Sequence, residues 1–395
     1  MNLQLRNSSL SHFYFNRDQM QLASFNNIAQ LERPDRPAAA TRAIRNRSKE
    51  ELPLTDVTDR LNEARLCTYL EAHLEGFEGP LSARKFSGGQ SNPTFRIDAR
   101  SGVYVLRRKP PGALLKSAHA VDREYRVLEA LADTTVPVAR PLLLCEDEAV
   151  IGSVFYLMSF VDGRVFWDPA LPAQSPEQRK ELYKELIRVL AKLHDTDIGA
   201  VGLADYGKPG NYFERQVKRW TEQYRASETT TLAAMETLID WLPAHLPPDD
   251  GQQSLIHGDY RLDNLMFHST GSGAVAVLDW ELSTLGHPLA DLAYLCMCLR
   301  LPASGQIKGL AGLDRSALGI PDEAAMVSRY CQLRGIGPIE HWTFYLAFSF
   351  FRLAAILQGV LKRGLDGSAS SNRALEVGRM AGELAEFAVE LIEAP

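Results

Sequence analysis

The residues best equipped for chemistry lie between His257 and Asp291. They read His257-Gly258-Asp259-Tyr260-Arg261-Leu262-Asp263-Asn264, then Val277-Leu278-Asp279-Trp280-Glu281, then Gly286-His287-Pro288 through Asp291-Leu292. Asp259 and Asn264 fall on an expected loop that leaves through the apolar run Leu265-Met266-Phe267. Asp279 follows Ala274 to Leu278, which reads as a short buried strand. Phosphoryl transfer from ATP to a hydroxyl asks for this set of groups. One carboxylate orients and deprotonates the acceptor, and an Asn with a second Asp holds magnesium against the phosphates. The expectation is Asp259 as base, Asn264 and Asp279 as magnesium ligands, and ATP and Mg2+ as cofactors. The bland alternative is a polar turn beside a buried strand; the order of four separate elements weighs against it.

That order resembles the catalytic loop and metal strand of kinases. It departs at Gly258, where protein kinases carry Arg, and at Trp280-Glu281, where they carry Phe-Gly. The kinase Arg commonly reads an activation-loop phosphate, so Gly258 argues against that control. His-Gly-Asp, four residues, Asn and a downstream Asp-Trp-Glu resemble the aminoglycoside phosphotransferase and choline kinase superfamily. The resemblance implies an α+β, two-lobed protein-kinase-like fold, with a five-stranded antiparallel sheet in the N-lobe and a mainly helical C-lobe. It implies that Arg261 touches the transferred phosphate and that Glu281 approaches a second magnesium. Asp291 and His257 are expected to fix the catalytic loop by hydrogen bonds.

The elements that must position these groups divide into a polar arm (1–52), a nucleotide-binding N-lobe (53–160) and a catalytic and acceptor-binding C-lobe (161–395). A helix is expected from Thr55, with Leu61, Leu66 and Leu70 on one face. Strands follow at Leu81 to Phe86, Thr94 to Ile97 and Val103 to Arg107. The turn from Ser87 to Asn92 brings Gly88, Gly89, Ser91 and Asn92 to where backbone amides can approach phosphates. Such turns also serve plain hairpins, and the chain has no Walker loop. Val105 and Arg107 share a strand face. Likeness to choline kinase relatives assigns Arg107 to the phosphates, with Arg108 and Lys109 as alternatives if the register slips. A helix over Ser117 to Ala132, capped by Ser117, offers Glu124 as the partner of Arg107, with Asp122 as competitor. Val136 to Leu144 and Val154 to Phe160 complete the sheet. Phe155 to Gly163 resembles a lobe-connecting hinge, where adenine would use backbone groups near Ser159 and Val161 with Met158 behind.

In the C-lobe, Pro176 to Asp195 reads as a helix ending in a structural His194. Spacings of three and four put Arg215, Lys218 and Arg219 on one helical face, either as a solvated stripe or as cations for an acidic acceptor. Trp342 to Arg363 and Ala374 to Ile392 read as apolar helices. Arg352, inside the first, is expected to pair with a carboxylate or line the acceptor cleft.

Composition bounds the rest. Hydrophobic content of 45% and charged content of 23% suit a globular chain, and a net charge of -6 makes no case for nucleic acid. The odd count of five cysteines has no disulfide-framework spacing, which suits a reducing compartment. Cys296 and Cys298, two apart on a helix, do not suggest a metal clip. Met1-Asn2-Leu3-Gln4 lacks an apolar signal core, and Phe344 to Leu361 is broken by Ser349, Arg352 and Gln358, so no membrane span and a cytoplasmic location are expected. The arm is either disordered or a docking strap for a second copy or an accessory subunit, with Phe13, Tyr14, Phe15 and Phe25 to bury.

Further strings narrow the resemblance: Gly89-Gln90-Ser91-Asn92-Pro93-Thr94-Phe95, Tyr104 to Gly112, Lys116 to Tyr125, Tyr260 to Asn264, Leu282 to Gly286, and Gln358-Gly359. From about Leu61 onward the chain resembles the kinase domain that animals fuse to an acyl-CoA dehydrogenase, and its free-standing bacterial relatives. This implies a small-molecule acceptor, the hydroxyl of 4-hydroxyacyl-CoA thioesters such as 4-hydroxyvaleryl-CoA, in hydroxy acid catabolism. Lys109, Lys116, Arg215, Lys218 and Arg219 are cations available to coenzyme A phosphates. One departure is His287, where the superfamily often has Asp, so a less well capped helix is expected there. Rival readings are a kinase of an amino alcohol, sugar or aminoglycoside, and a non-catalytic nucleotide-binding module. The presence of Asp259, Asn264 and Asp279 together counts against the last.

Overall fold

A computed structural model describes residues 61–394 apart from 87–91, 111–119, 209, 306 and 367–371, together with three two-residue strands nearer the N-terminus. Phe15–Asn16 (β1) pairs with Gln19–Met20 (β2), and Leu54–Thr55 (β3) joins the main sheet. The rest of the arm, with the docking-strap expectation, lies outside the described residues.

Thr55 is thus in a strand, and the helix expected from it starts later. Asn62 caps α1 (Glu63–His73) by accepting the Arg65 N–H, which fixes the start. Next come β4 (Leu81–Phe86), β5 (Thr94–Ala99), β6 (Gly102–Arg108), α2 (Val121–Leu131), β7 (Pro141–Cys145) and β8 (Phe155–Ser159). The sheet order is β3-β4-β5-β6-β8-β7, antiparallel throughout. The five strands expected from sequence are present, with β3 added at the edge. Strand alternation sorts the side chains into two sets. Phe95, Ile97, Leu106 and Leu157 pack with Leu66 and Leu70 of α1. Thr94, Val105, Arg107, Tyr156 and Met158 instead face a cleft.

The helix expected from Ser117 begins at Val121, with Ala120 at its cap position making no side-chain bond; Ser117 lies outside the described residues. Val121, Val127, Leu128 and Leu131 of α2 join the large core that the C-terminal helices share.

Beyond β8 the chain runs through β9 (Arg164–Val165) and α3 (Pro176–His194), which opens with a Ser175–Gln178 capping box. Then follow α4 (Tyr212–Ser227), α5 (Ala233–Ala244), β10 (Ser254–Ile256), β11 (Leu265–Phe267), β12 (Ala274–Val277) and β13 (Thr284–Gly286). β10 pairs with β13, and β11 lies between β9 and β12. These short ladders frame the chemistry: β10 delivers His257, β11 leaves Asn264, and β12 leads to Asp279.

The remaining helices are α6 (Leu289–Arg300), α7 (Arg315–Leu318), α8 (Glu323–Arg334), α9 (Trp342–Leu365), α10 (Asn372–Gly378) and α11 (Met380–Glu393). The single helix expected at the C-terminus is therefore two. α9 is the axis of the lobe, in contact with α4, α6, α10 and α11. Among the described residues it alone is long and apolar enough to cross a membrane, yet 89% of its most apolar window is buried inside the fold, which makes it a core helix. α6 is buried on all sides as well, so Cys296 and Cys298 are both buried despite facing apart.

Candidate active site

The loop that carries Asp259 and Asn264 is shaped first by Gly258. Its φ of +82° is left-handed, and a Cβ there would lie 2.6 Å from the Leu282 carbonyl oxygen. Only glycine fits, which is a steric reason for the departure from Arg. The turn is then pinned from α6, where Asp291 accepts the His257 N–H at 2.6 Å and the Gly258 N–H at 2.8 Å. His257 Nδ1 accepts the Asp259 N–H at 3.2 Å, leaving Nε2 to donate to the Leu278 carbonyl at 2.7 Å.

Behind Asp291, buried His194 places Nε2 3.3 Å from Asp291 Oδ2 and Nδ1 2.6 Å from the Tyr330 hydroxyl. Burial holds the His194 imidazole below its usual pKa, against the pull of Asp291. Burial opposes ionisation of Asp291 too, but hydrogen bonds from His194 and His257 outweigh it and hold the carboxyl below its usual range.

Asn264 Nδ2 donates to the Asp259 carbonyl at 2.8 Å and to Asp259 Oδ2 at 3.1 Å. Arg261 Nε lies 3.3 Å from Asp259 Oδ1, and its Nη2 lies 3.0 Å from Asp263 Oδ2. The Asp259 carboxylate is thus held between an amide and a guanidinium. Asp263 was not singled out from sequence, although an acid between Arg261 and Asn264 was a visible signal. Burial raises its pKa against the opposing charge of Arg261.

Asp279 follows β12 at φ 65°, a left-handed conformation that Asp tolerates better than most residues. Its Oδ1 lies 2.8 Å from Arg107 Nη2, and Glu281 Oε2 lies 3.6 Å from the same nitrogen. Arg107 Nε reaches Glu124 Oε2 at 2.7 Å. Asn92 Nδ2 donates to Glu124 Oε1 at 2.6 Å and the Tyr156 hydroxyl to Oε2 at 3.1 Å. Burial pushes the Glu124 carboxyl up to about 7; Arg107 opposes the shift, while Glu281 and Asp279 add to it. The expected partner of Arg107 is therefore Glu124. Asp122 faces Lys109 at 3.6 Å instead, and Arg108 turns to the Ile151 carbonyl and the face of Phe95.

Arg107, Asn264 and Asp279 all open into one cleft of about 260 Å3 between the sheet and the catalytic stretch. Val105, Met158, Val165 and Met266 give it apolar walls of the kind that hold a flat ring. On its hinge side, the Ser159 hydroxyl accepts the Arg140 N–H at 2.9 Å while the Ser159 N–H bonds the Arg140 carbonyl at 2.9 Å. Val161 lines the cleft next to it. Asn264 and Asp279 are hard oxygen donors, a set that fits magnesium, which completes its shell with water and phosphate oxygens. Among the described residues no group of three His, Cys, Asp or Glu could hold a metal by itself.

Gly88, Gly89, Ser91 and Lys116 lie outside the described residues. The basic face of α4 is not one stripe. Arg215 donates to the carbonyls of Lys208 and Gly210, Lys218 is exposed, and Arg219 is half-buried beside the Trp220 ring. Arg352 pairs with no carboxylate among the described residues; it donates to the Gly258 carbonyl at 2.7 Å. His287 corrects another expectation, since its Nδ1 accepts the Leu289 N–H at 3.2 Å and so caps α6 in the place of Asp.

Two lobes with this loop and cleft define a kinase-like phosphotransferase. The chain belongs to the phosphotransferase enzyme family, whose profile matches residues 82–326. It is 49% identical over 325 residues to acyl-CoA dehydrogenase family member 10 of Mus musculus, covering 81% of this chain and 30% of that protein. It is 45% identical over 339 residues to acyl-CoA dehydrogenase family member 11 of Gallus gallus, covering 84% of this chain and 44% of that one. The chain thus spans less than half the length of these relatives. A crystal structure from Ralstonia eutropha, whose description as an aminoglycoside phosphotransferase is itself provisional, matches at 53% identity and a TM-score of 0.78, covering 84% of this chain and 98% of that one. A spectinomycin phosphotransferase in complex with ADP and spectinomycin matches at 14% identity and a TM-score of 0.56, covering 84% and 98%, and shows the shared fold. The chain is a small-molecule phosphotransferase.

Proposed function

We propose that this phosphotransferase moves the terminal phosphoryl group of ATP, with magnesium, onto the hydroxyl of a 4-hydroxyacyl-CoA such as 4-hydroxyvaleryl-CoA. The reading includes a role in hydroxy acid catabolism in the cytoplasm. The observation that carries the chemistry is the placing of Asp259 against Asn264 at 3.1 Å, with Asn264 and Asp279 opening into one cleft. Asp259 takes the proton of the acceptor hydroxyl as its oxygen bonds to phosphorus and the bond to the departing ADP breaks. Arg261, already against Asp259, balances charge on the transferred group. Asn264 and Asp279 would hold magnesium, with Glu281 near a second ion; when bound, magnesium neutralises the phosphates. Arg107, steadied by Glu124, faces those phosphates together with Asn92, and the sequence adds Gly88, Gly89 and Ser91 to the same role. Adenine would meet the backbone of Ser159 and Val161.

The acyl-CoA acceptor is supported by the relatives' names. Phosphorylating a hydroxyl gamma to a thioester turns a poor leaving group into a good one, which prepares elimination. An aminoglycoside, sugar or amino alcohol acceptor is the second reading, favoured by the description of the 53% identical relative. ATP consumption and phosphorylated product, measured across 4-hydroxyacyl-CoAs, free hydroxy acids, choline and aminoglycosides, decide between them. Asp259→Asn should lower turnover by at least ~100-fold and spare ATP binding. Near-normal turnover in that variant would refute the base assignment.

A further inference from the structure

Arg352 is 7% exposed in the middle of α9. One N–H donates to the Gly258 carbonyl at 2.7 Å, and the guanidinium lies 5.7 Å from the Trp220 ring centroid and 5.4 Å from that of Tyr294. Among the described residues no carboxylate comes within ion-pair distance of it. A guanidinium carries five N–H donors, and the Gly258 carbonyl takes only one nitrogen's, so the rest remain available to a ligand oxygen.

Two neighbours sharpen the point. Arg219 is close enough that, after burial, the charge of Arg352 is what most holds its pKa below the usual value. The Tyr294 hydroxyl is buried, with no hydrogen-bond partner beyond the weak sulfur of Cys298, and it feels the charges of Asp259, Arg261 and Arg352. The donors of Arg352 that the Gly258 carbonyl does not take therefore lie beside the base with no carboxylate among the described residues to receive them. Donors of this kind bind an electron-rich oxygen strongly when one reaches them.

The position decides which oxygen. The Gly258 carbonyl is one peptide from Asp259, so whatever Arg352 binds sits a short carbon chain from the reacting hydroxyl. The phosphates of coenzyme A are a whole pantetheine arm away.

We infer that Arg352, with Arg219 beside it and the Tyr294 hydroxyl nearby, recognises the acyl oxygen of the acceptor, as thioester carbonyl or as free carboxylate. The assignment rests on the phosphotransferase reading above. It gives the site a reason to prefer hydroxyacyl compounds over neutral or cationic alcohols.

The test uses the full chain with magnesium and ATP against 4-hydroxyvaleryl-CoA, free 4-hydroxyvalerate and 1,4-pentanediol, which keeps the reacting hydroxyl but has no acyl oxygen. Wild type should prefer its better acyl acceptor over the diol by about 100-fold or more in kcat/KM, and which acyl compound is better identifies the source of the oxygen. Arg352→Gln should raise the KM of that acceptor by about 10- to 100-fold while the KM for ATP moves less than about threefold. Arg352→Lys keeps one donor for the Gly258 carbonyl and should recover part of the loss. If the Gln variant does not fold, Arg352→Lys and Arg219→Gln carry the same measurement. A merely structural role would leave the acyl KM unchanged, or degrade acyl, diol and ATP parameters alike. Either result overturns the assignment and leaves the kinase standing. A wild-type chain that turns over no acceptor overturns both.

Discussion

Arg107 and Asp279 meet across the lobe boundary, Nη2 to Oδ1 at 2.8 Å, although 172 residues separate them in the chain. The same guanidinium holds Glu124 at 2.7 Å, so one side chain ties β6, α2 and the turn after β12 together. All three side chains are more than nine-tenths buried. In that environment a planar fork with several fixed donors can serve two carboxylates at once, and a point charge cannot.

Removing the fork should therefore be costly twice over. Arg107→Ala leaves Glu124 and Asp279 buried without their shared cation, which should cost about 3–5 kcal/mol in urea unfolding and weaken ATP binding. Arg107→Lys should fall between, because its ammonium cannot span both acids. An unfolding free energy within about 0.5 kcal/mol of wild type for the Ala variant would show that the pair does not hold the lobes.

Glu124 predicts a pH dependence. Burial pushes its carboxyl from the ordinary 4.5 up to about 7, with Glu281 and Asp279 adding and Arg107 opposing. Folding thus favours the protonated form. Its contribution to stability is full below 4.5 and is lost as pH climbs through about 7. Relative to Glu124→Gln, the wild-type melting temperature should fall across that window. Parallel curves would mean that Glu124 titrates normally.

Much of this site was legible because it is local. Asp259, Asn264 and Asp279 sit at fixed spacings on a loop and the strand that follows it, and period-two alternation put Val105 and Arg107 on one face. The Arg107–Glu124 pair could be read from two adjacent elements. Features set by tertiary packing were not legible. Nothing near Arg352 in sequence says that its partner is the Gly258 carbonyl, 94 positions away. His287 as the cap of α6 needed the ring orientation, and Arg219 parted from Lys218 only when α4 was packed on α9. Thr55 reads as a helix start until its pairing with Lys85 is seen.

Gly258→Ala tests the shape of the loop. The left-handed φ and the 2.6 Å approach to the Leu282 oxygen leave no room for a methyl group. Strain of this kind costs about 1–3 kcal/mol. The larger effect should be on turnover, since Asp259 is the next residue and a displacement of about 1 Å can cost about 100-fold. A variant with wild-type kcat would mean that the loop relaxes without moving Asp259.

Asp291 predicts an acid-side dependence of stability. Its carboxylate receives two catalytic-loop amides, at 2.6 and 2.8 Å, and faces His194 at 3.3 Å. Asp291→Ala strands both amides in the interior, at about 1–3 kcal/mol each, and should lower kcat along with stability. Asp291→Asn keeps one acceptor oxygen and should be milder. Both Asp291 and His194 have pKa values lowered on folding, so each contributes stability that is present above its unfolded value, 3.8 and 6.5, and is lost as pH falls. In thermal melts from pH 7 down to pH 3, wild type should therefore lose stability in two stages, with Asp291→Asn removing the lower one. If Asp291→Asn instead melts in parallel with wild type, the carboxylate's charge is not what holds the loop.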